Sequence, residues 1–234
     1  LPEYVKGTIT KIAPIVSSLR CCKLIVKHWM TKYDYVPDMI VIEGPEAGGH
    51  LGFKREELDE ENKPKLENIT SEIVEYIKEV EKETGKEIPV ISAGGIWDSK
   101  DIKKYLSLGA SGVQMATRFV ATNECDASEE FKKAYINAKE EDIKIIKSPV
   151  GMPGRAIYNE FIQKTENEKC HIDKCYNCIK TCNVATTPYC ITKALINAVK
   201  GNLKEGLVFC GSNVKKVKEI VSVHDLMNEL VCEL

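Results

Sequence analysis

His50 is the side chain of this sequence best suited to move a proton, and it stands at the end of Asp38-Met-Ile-Val-Ile-Glu-Gly-Pro-Glu-Ala-Gly-Gly-His50-Leu-Gly52. The stretch opens as a short apolar run, Met39 to Ile42, of the kind buried on both faces of a parallel sheet. It then breaks into glycines, which allow a sharp turn and a close approach of backbone to ligand. Imidazole exchanges protons near neutral pH. A strand that delivers a lone histidine through Gly48-Gly49 therefore places a base where a flat cofactor or substrate can lie against bare backbone. The same residues also suit an ordinary strand-to-helix turn with a solvated histidine, and this stretch alone does not choose between the two.

Two later strand ends carry the chemistry of phosphate binding. Ile88-Pro-Val-Ile-Ser-Ala-Gly-Gly95 ends in Gly94 and Gly95, whose backbone N–H groups precede an expected helix N-terminus. Gln114-Met115-Ala116-Thr117 then offers an amide, a hydroxyl and further N–H groups. In a parallel α/β fold, ligands gather where strands end and helices begin. Base, cradle and cradle at three successive strand ends are each a weak signal and together a stronger one.

The elements that must position these residues follow a regular order. Lys11 to Ser17 reads as a strand, with Pro14 suited to a strand end. Ser18 caps a helix over Leu19 to Thr31 that buries Leu24, Ile25 and Trp29. Asp38 to Glu43 is the next strand, and Lys54 to Asn68 a solvated charged loop. Thr70 to Glu83 is a helix with Ile73, Val74, Ile77 and Val80 at helical spacing and Gly85 beyond its end. Asp98, with Asp101 three residues on, caps a helix that turns Ile102, Tyr105 and Leu106 inward. Gly112 to Phe119 is a fourth strand. Four β/α units with short connections predict a parallel sheet, half of a (β/α)₈ barrel that takes ~250 residues when complete.

After Phe119 the pattern changes. Ser128 to Ile146 reads as an amphipathic helix, Ser148 to Gly154 as a breaker-rich loop, Lys169 to Cys190 as a cysteine-rich segment and Thr192 to Lys200 as a helix. Ser222 and Asp225 start a last helix that buries Leu226, Leu230 and Val231. The expected organisation is β/α units over 1–123 and a mainly helical, Cys-rich region over 124–234.

The 234 residues are 43% hydrophobic and 29% charged, with a formal net charge of -2. That balance argues neither for nucleic acid nor for an anionic membrane surface. No apolar run approaches the ~18 residues of a membrane span, and no signal-peptide pattern opens the chain. Ten cysteines within an α/β pattern suit reduced thiols or metal ligands in a cytoplasmic enzyme.

Glu46-Ala-Gly-Gly-His-Leu-Gly52, Pro89-Val-Ile-Ser-Ala-Gly-Gly-Ile96 and Gly109-Ala-Ser-Gly-Val-Gln-Met-Ala-Thr-Arg-Phe119 closely resemble the nitronate monooxygenases, formerly 2-nitropropane dioxygenases, and the related flavin-type enoyl-ACP reductases. The likeness runs from about Lys11 to Phe119 and continues more loosely through Pro153-Gly-Arg-Ala156. It implies an FMN-dependent TIM-barrel enzyme whose partners are a small nitronate and O2, with His50 as the catalytic histidine. It also implies that Gly48, Gly49, Gly94, Gly95, Gln114, Met115, Ala116 and Thr117 bind the cofactor. Ala116 stands where the family usually has glycine, which narrows the phosphate cradle. The family places four further strands before Lys11, so the resemblance implies an N-terminally truncated chain that binds FMN poorly by itself. An NAD(P)H-dependent enoyl-ACP reductase and a non-catalytic paralogue are the alternative readings. The Cys-rich region and the Gly-Leu-Val-Phe-Cys-Gly-Ser-Asn segment favour the monooxygenase.

Cys170-x₄-Cys175-x₂-Cys178-x₃-Cys182, with Cys190 beyond, has thiols close enough for structural zinc, and its first part matches a plant-type iron–sulfur spacing. A barrel flavoenzyme does not require either, so no metal is assigned here. His28 and His224 lie in expected helices and read as packed or solvated side chains. The sequence leaves the oligomeric state open.

Overall fold

The computed structural model describes every residue except Glu60 and Glu233. In chain order the elements are α1 (Pro2–Val5), β1 (Ile15–Val16), α2 (Leu19–Tyr33), β2 (Ile40–Glu43), β3 (Gly49–His50), α3 (Leu66–Thr84), β4 (Val90–Ala93), α4 (Ser99–Ser107) and β5 (Gly112–Gln114). They continue with α5 (Thr117–Val120), α6 (Glu129–Asn137), β6 (Ile143–Lys147), β7 (Pro153–Ile157), α7 (Glu160–Asn167), α8 (Ile191–Val199) and α9 (Val223–Val231). The chain forms two compact units. One comprises 1–45, 56–115 and 229–234, the other 46–55 and 116–228.

The first unit is an α/β structure around a parallel sheet of order β1-β2-β4-β5. Ile40, Val41 and Ile42 of β2 are buried on successive sides, as the unbroken apolar run requires of a strand covered on both faces. Each contributes roughly 1.5–3 kcal/mol by leaving water. Ile73, Val74, Ile77 and Val80 form the buried stripe of α3. Gly85 ends α3 at φ 68°, and its N–H donates to the Glu81 carbonyl at 2.8 Å. The buried Thr70 and Ser92 hydroxyls pair at 2.9 Å, so each satisfies the other between helix and strand.

At the amino end of β2, the Asp38 carboxylate accepts from the Ile12 N–H at 2.9 Å, from Lys86 Nζ at 2.9 Å and from the Tyr35 hydroxyl. Burial alone would raise the pKa of Asp38. The bonds from Tyr35, Ile12 and Lys86 outweigh it and hold the carboxyl well below the usual carboxylate range.

The helices depart from expectation in which face they bury. Ser18 caps α2 as its type predicts, its Oγ accepting from the Cys21 N–H at 3.3 Å. The buried stripe, however, is Cys22, Val26 and Trp29, and Leu24 is 62% exposed. A reduced cysteine packs as a small hydrophobe, and counting it as one shifts the stripe onto the correct face. Leu106 of α4 and Val231 of α9 are likewise exposed, whereas Ile102, Tyr105, Leu226 and Leu230 are buried. The expected loop from Lys54 to Asn68 includes a 3₁₀ turn at Arg55–Leu58 and ends where α3 begins at Leu66. Glu60 within it lies outside the described residues. The fourth strand stops at Gln114 rather than Phe119, because Thr117 to Val120 turn into α5.

In the second unit the helix expected over Ser128 to Ile146 is confined to Glu129–Asn137. Ile143–Lys147 is instead β6, paired antiparallel with β7 from Ile143↔Ile157 to Lys147↔Pro153. The breaker residues from Ser148 to Met152 close this hairpin, with Gly151 at φ 85° and the Ser148 N–H donating to the Met152 carbonyl at 3.1 Å. A β-branched run on one side of a Pro/Gly turn is a hairpin signal, and here it overrides the amphipathic pattern. The core of this unit gathers Ile146, Ala156, Phe161, Ile162, Tyr189, Ile191, Ala194 and Leu207.

Candidate functional site

His50 lies in β3, a two-residue strand paired antiparallel with β7 through Gly49↔Arg155 and His50↔Gly154. The sequence predicts a free glycine turn here. The ladder holds the residue instead, and the Leu51 N–H extends it by donating to the Pro153 carbonyl at 2.9 Å.

The residues before His50 are fixed from three directions. The Arg155 guanidinium, itself buried, donates to the Ala47 carbonyl. The Ser212 N–H donates to the Glu46 carbonyl at 3.2 Å. Gly48 packs so tightly on the backbone that a Cβ there would sit 2.5 Å from the Cys210 carbonyl carbon and 2.6 Å from the Gly211 nitrogen. Close approach thus accounts for glycine at 48. A left-handed φ of 78° accounts for it at 49.

The imidazole packs edge-on to Phe209, with ring centroids 4.9 Å apart. Its Nε2 lies 2.7 Å from Ser148 Oγ, and that serine is buried at the start of the hairpin turn. A hydroxyl can accept from an Nε2–H or donate to a bare Nε2, so Ser148 orients the ring in either protonation state. Burial lowers the pKa of His50 below its ordinary value and favours the neutral form. The site therefore holds an oriented, neutral imidazole, which is the state a general base needs.

The other expected site residues divide between the units. Gly94 and Gly95 follow β4 with φ of 102° and 79°, a pair of left-handed residues that only glycine adopts without strain. Gln114 ends β5, next to β4 through Ala93↔Gln114, and Met115 follows it. These four belong to the first unit. Ala116 and Thr117 open α5 in the second, together with Gly48, Gly49 and His50. Thr117 Oγ1 accepts from the Gly211 N–H at 3.2 Å.

One part of the expected cradle is already occupied. The Asp101 N–H donates to Asp98 Oδ1 at 3.0 Å and the Trp97 N–H to Asp101 Oδ2 at 2.8 Å. The start of α4 is thus satisfied by its own carboxylates. The Gly94-Gly95 turn and the end of β5 are the other parts of that expected cradle.

Ser148 and Phe209 were not legible as site residues. Each meets His50 only through long-range pairing of β7, and no local spacing marks them. Arg155 lies within the Pro153-Gly-Arg-Ala156 motif, the one signal that pointed to this strand.

Among the described residues, no helix is long and apolar enough to cross a membrane. A family model described as nitronate monooxygenase matches residues 4–233. A probable nitronate monooxygenase of Staphylococcus saprophyticus is 36% identical over 127 residues, 54% of this chain and 34% of that protein. One of Staphylococcus aureus strain Newman is 39% identical over 127 residues, 54% of this chain and 33% of that protein. The matched stretch thus spans about a third of these curated relatives. Among solved structures, FabK from Thermotoga maritima superposes with a TM-score of 0.71 at 24% identity, covering 98% of this chain and 62% of the other. A nitroalkane oxidase from Streptomyces ansochromogenes gives 0.65 at 19% identity, over 96% of this chain and 57% of the other. At those identities the structural likeness is one of fold.

Proposed function

Since the chain belongs to the nitronate monooxygenase family, we propose that it serves in the FMN-dependent oxidative denitrification of alkyl nitronates by O2. The observation that carries this reading is the imidazole of His50, kept neutral by burial and held at Nε2 by a buried hydroxyl. In this reading the parallel β/α units are part of a (β/α)₈ barrel, whose ligands gather at the carboxyl ends of the strands.

The residues at those ends fit a phosphate. Gly94 and Gly95 present backbone without side chains, which lets a ligand approach it closely. Gln114 adds an exposed amide at the neighbouring strand end. We assign the FMN phosphate to Gly94, Gly95, Gln114 and Met115, with Ala116 and Thr117 continuing the binding segment along the chain. Ala116 stands where the family usually has glycine, and Thr117 brings the hydroxyl that now accepts from the Gly211 N–H. FMN, when bound, supplies the redox chemistry that no side chain of this protein can provide.

The protein's own part is proton handling and positioning. With Nε2–H turned to Ser148, His50 presents the Nδ1 lone pair and takes the α-proton from a neutral nitroalkane. A nitronate arrives already deprotonated, and toward it the other neutral tautomer serves: Ser148 donates to a bare Nε2, and the Nδ1–H is the oriented donor. Phe209 fixes the ring from its flank and keeps water from that side.

The test uses the chain restored to the length of its relatives and loaded with FMN: a nitronate is added anaerobically to one sample and NAD(P)H to another, with the flavin absorbance followed in both. Flavin reduction by the nitronate supports the proposal. Reduction by NAD(P)H alone moves the assignment to an enoyl-thioester reductase, the reaction class of the family's other branch. Retention of no flavin would remove the binding role given to Gly94, Gly95 and Gln114.

A further inference from the structure

The proposed reaction leaves the cysteine-rich segment unused. From 168 to 190, between α7 and α8, the chain forms neither helix nor strand. Structureless connections of this length in a compact unit are usually functional or disordered. This one has a defined course. The Cys170 N–H donates to the Pro188 carbonyl at 2.8 Å, and Lys169 Nζ donates to the Val184 and Ala185 carbonyls at 3.0 and 2.6 Å.

Four thiols of the segment border one small cavity: Cys175, Cys178, Cys182 and Cys190. Ile172, Ile179, Val184 and Ile191 complete much of its wall and shield it with apolar surface. Its volume is about 20 Å³, room for roughly one water-sized body. A space of that size suits a single ion. Cys170 does not border this cavity. The plant-type iron–sulfur spacing needs Cys170 as its first ligand, so the arrangement replaces it with Cys190.

Two further features concern the polar groups around these thiols. Asn177, between Cys175 and Cys178, takes the left-handed conformation at φ 51°; its backbone N–H donates to Cys175 Sγ at 3.4 Å, and the Cys175 thiol donates to Asn177 Oδ1 at 3.4 Å. The Cys-x₂-Cys spacing of this pair is that of zinc sites, and the same backbone N–H remains to bond the sulfur once a metal has displaced the thiol proton. Tyr189 also lines the cavity, is 4% exposed, and its hydroxyl has no hydrogen-bond partner among the described residues. A buried donor without an acceptor is costly, and a neighbouring thiolate would supply one.

We propose that Cys175, Cys178, Cys182 and Cys190 form a structural zinc site that staples this segment. Among the described residues no three metal-ligating side chains are already drawn onto one point. The thiols border the cavity and close on the ion by side-chain rotation, which the exposure of Cys175, Cys178 and Cys182 permits. Lys174 and Lys180, within the segment, offset the net negative charge of a tetrathiolate site. Binding releases the thiol protons to solvent and involves no redox change.

The experiment is elemental analysis of the tag-free, dialysed full chain produced with zinc, alongside the visible spectrum of its cobalt-substituted form. The expected result is about one zinc per chain and the intense bands of tetrahedral thiolate-bound cobalt. Cys178→Ser and Cys182→Ser should lose most of the metal, and Cys170→Ser should keep it. Zinc below about a tenth of an equivalent in the wild type, or iron with acid-labile sulfide instead, would overturn the proposal. So would loss of metal from Cys170→Ser as complete as from Cys178→Ser. Should the serine variants fail to fold, the wild-type stoichiometry and cobalt spectrum decide alone. None of these readouts depends on flavin or turnover.

Discussion

Nε2 of His50 and Oγ of Ser148 lie 2.7 Å apart although 98 residues separate them in the chain. The pairing works because β3 and β6 both lie against β7, so the histidine and the start of the β6–β7 turn reach the same end of one small sheet. Ser148 is a positioning residue. It bonds the ring atom that the proposed reaction leaves spare.

Ser148→Ala should therefore cost activity selectively. Losing one orienting hydrogen bond is worth about 1.4 kcal/mol, or roughly tenfold in rate. That loss should fall on kcat for a neutral nitroalkane, whose proton His50 must take. Turnover of the preformed nitronate should change by less than about twofold. Ser148→Thr should restore most of the difference. Equal losses on both substrates would assign Ser148 to general stability.

The acid–base state of His50 is directly measurable. Burial favours its neutral form, so its NMR titration, assigned with His50→Gln, should have a midpoint below the ordinary ~6.5. In the window between the folded and ordinary values, the unfolded chain holds more protons than the folded one. Stability from this group therefore falls as pH drops through that window and is complete above ~6.5. A midpoint at or above the ordinary value would contradict the desolvated imidazole.

Gly48→Ala tests the closure behind the histidine. Its Cβ would meet backbone at 2.5 and 2.6 Å, where no flexible side chain can move aside. We expect a loss of about 1–3 kcal/mol in chemical denaturation. Gly151→Ala makes a useful comparison, because a Cβ there meets nothing within 4 Å and only its left-handed φ is strained. The variant at 48 should also weaken the Nε2 contact with Ser148, visible as a changed His50 titration.

Asp38→Asn addresses the amino end of β2 in the first unit. The carboxylate is 9% exposed in its side chain and bonded to Tyr35, Lys86 and the Ile12 N–H. Replacing a charged acceptor in such a set should cost about 1.5–3 kcal/mol at pH 7. Because the folded-state carboxyl is held well below its ordinary ~3.9, its contribution is complete above that value and is lost as pH falls through the folded one. Wild type should thus lose more stability than the variant between pH 7 and pH 3, measured by urea midpoints.

The parallel β/α units, the stripe of α3, the caps at Ser18, Asp98 and Ser222, and the glycines at 48, 49, 94 and 95 were legible in the sequence. Each is a matter of residues a few positions apart: helical spacing, a short polar side chain before a helix, or a chain reversal needing glycine. His50 was legible as the candidate base for the same reason, since the strand and glycines that deliver it are its immediate neighbours.

Tertiary structure decided what those residues meet. Leu24 faces water because Cys22 fills the buried position that a larger aliphatic was expected to take. Ile143 to Lys147 is a strand because Pro153 to Ile157 is there to pair with it, an advantage a single segment's periodicity cannot display. Ser148, Phe209 and Cys210 reach the histidine loop through β7, and Cys190 joins three thiols from which spacing alone would have left it apart. Local sequence fixes the preferences of each element. Which distant element satisfies its remaining hydrogen bonds and apolar faces depends on the packing of the whole chain.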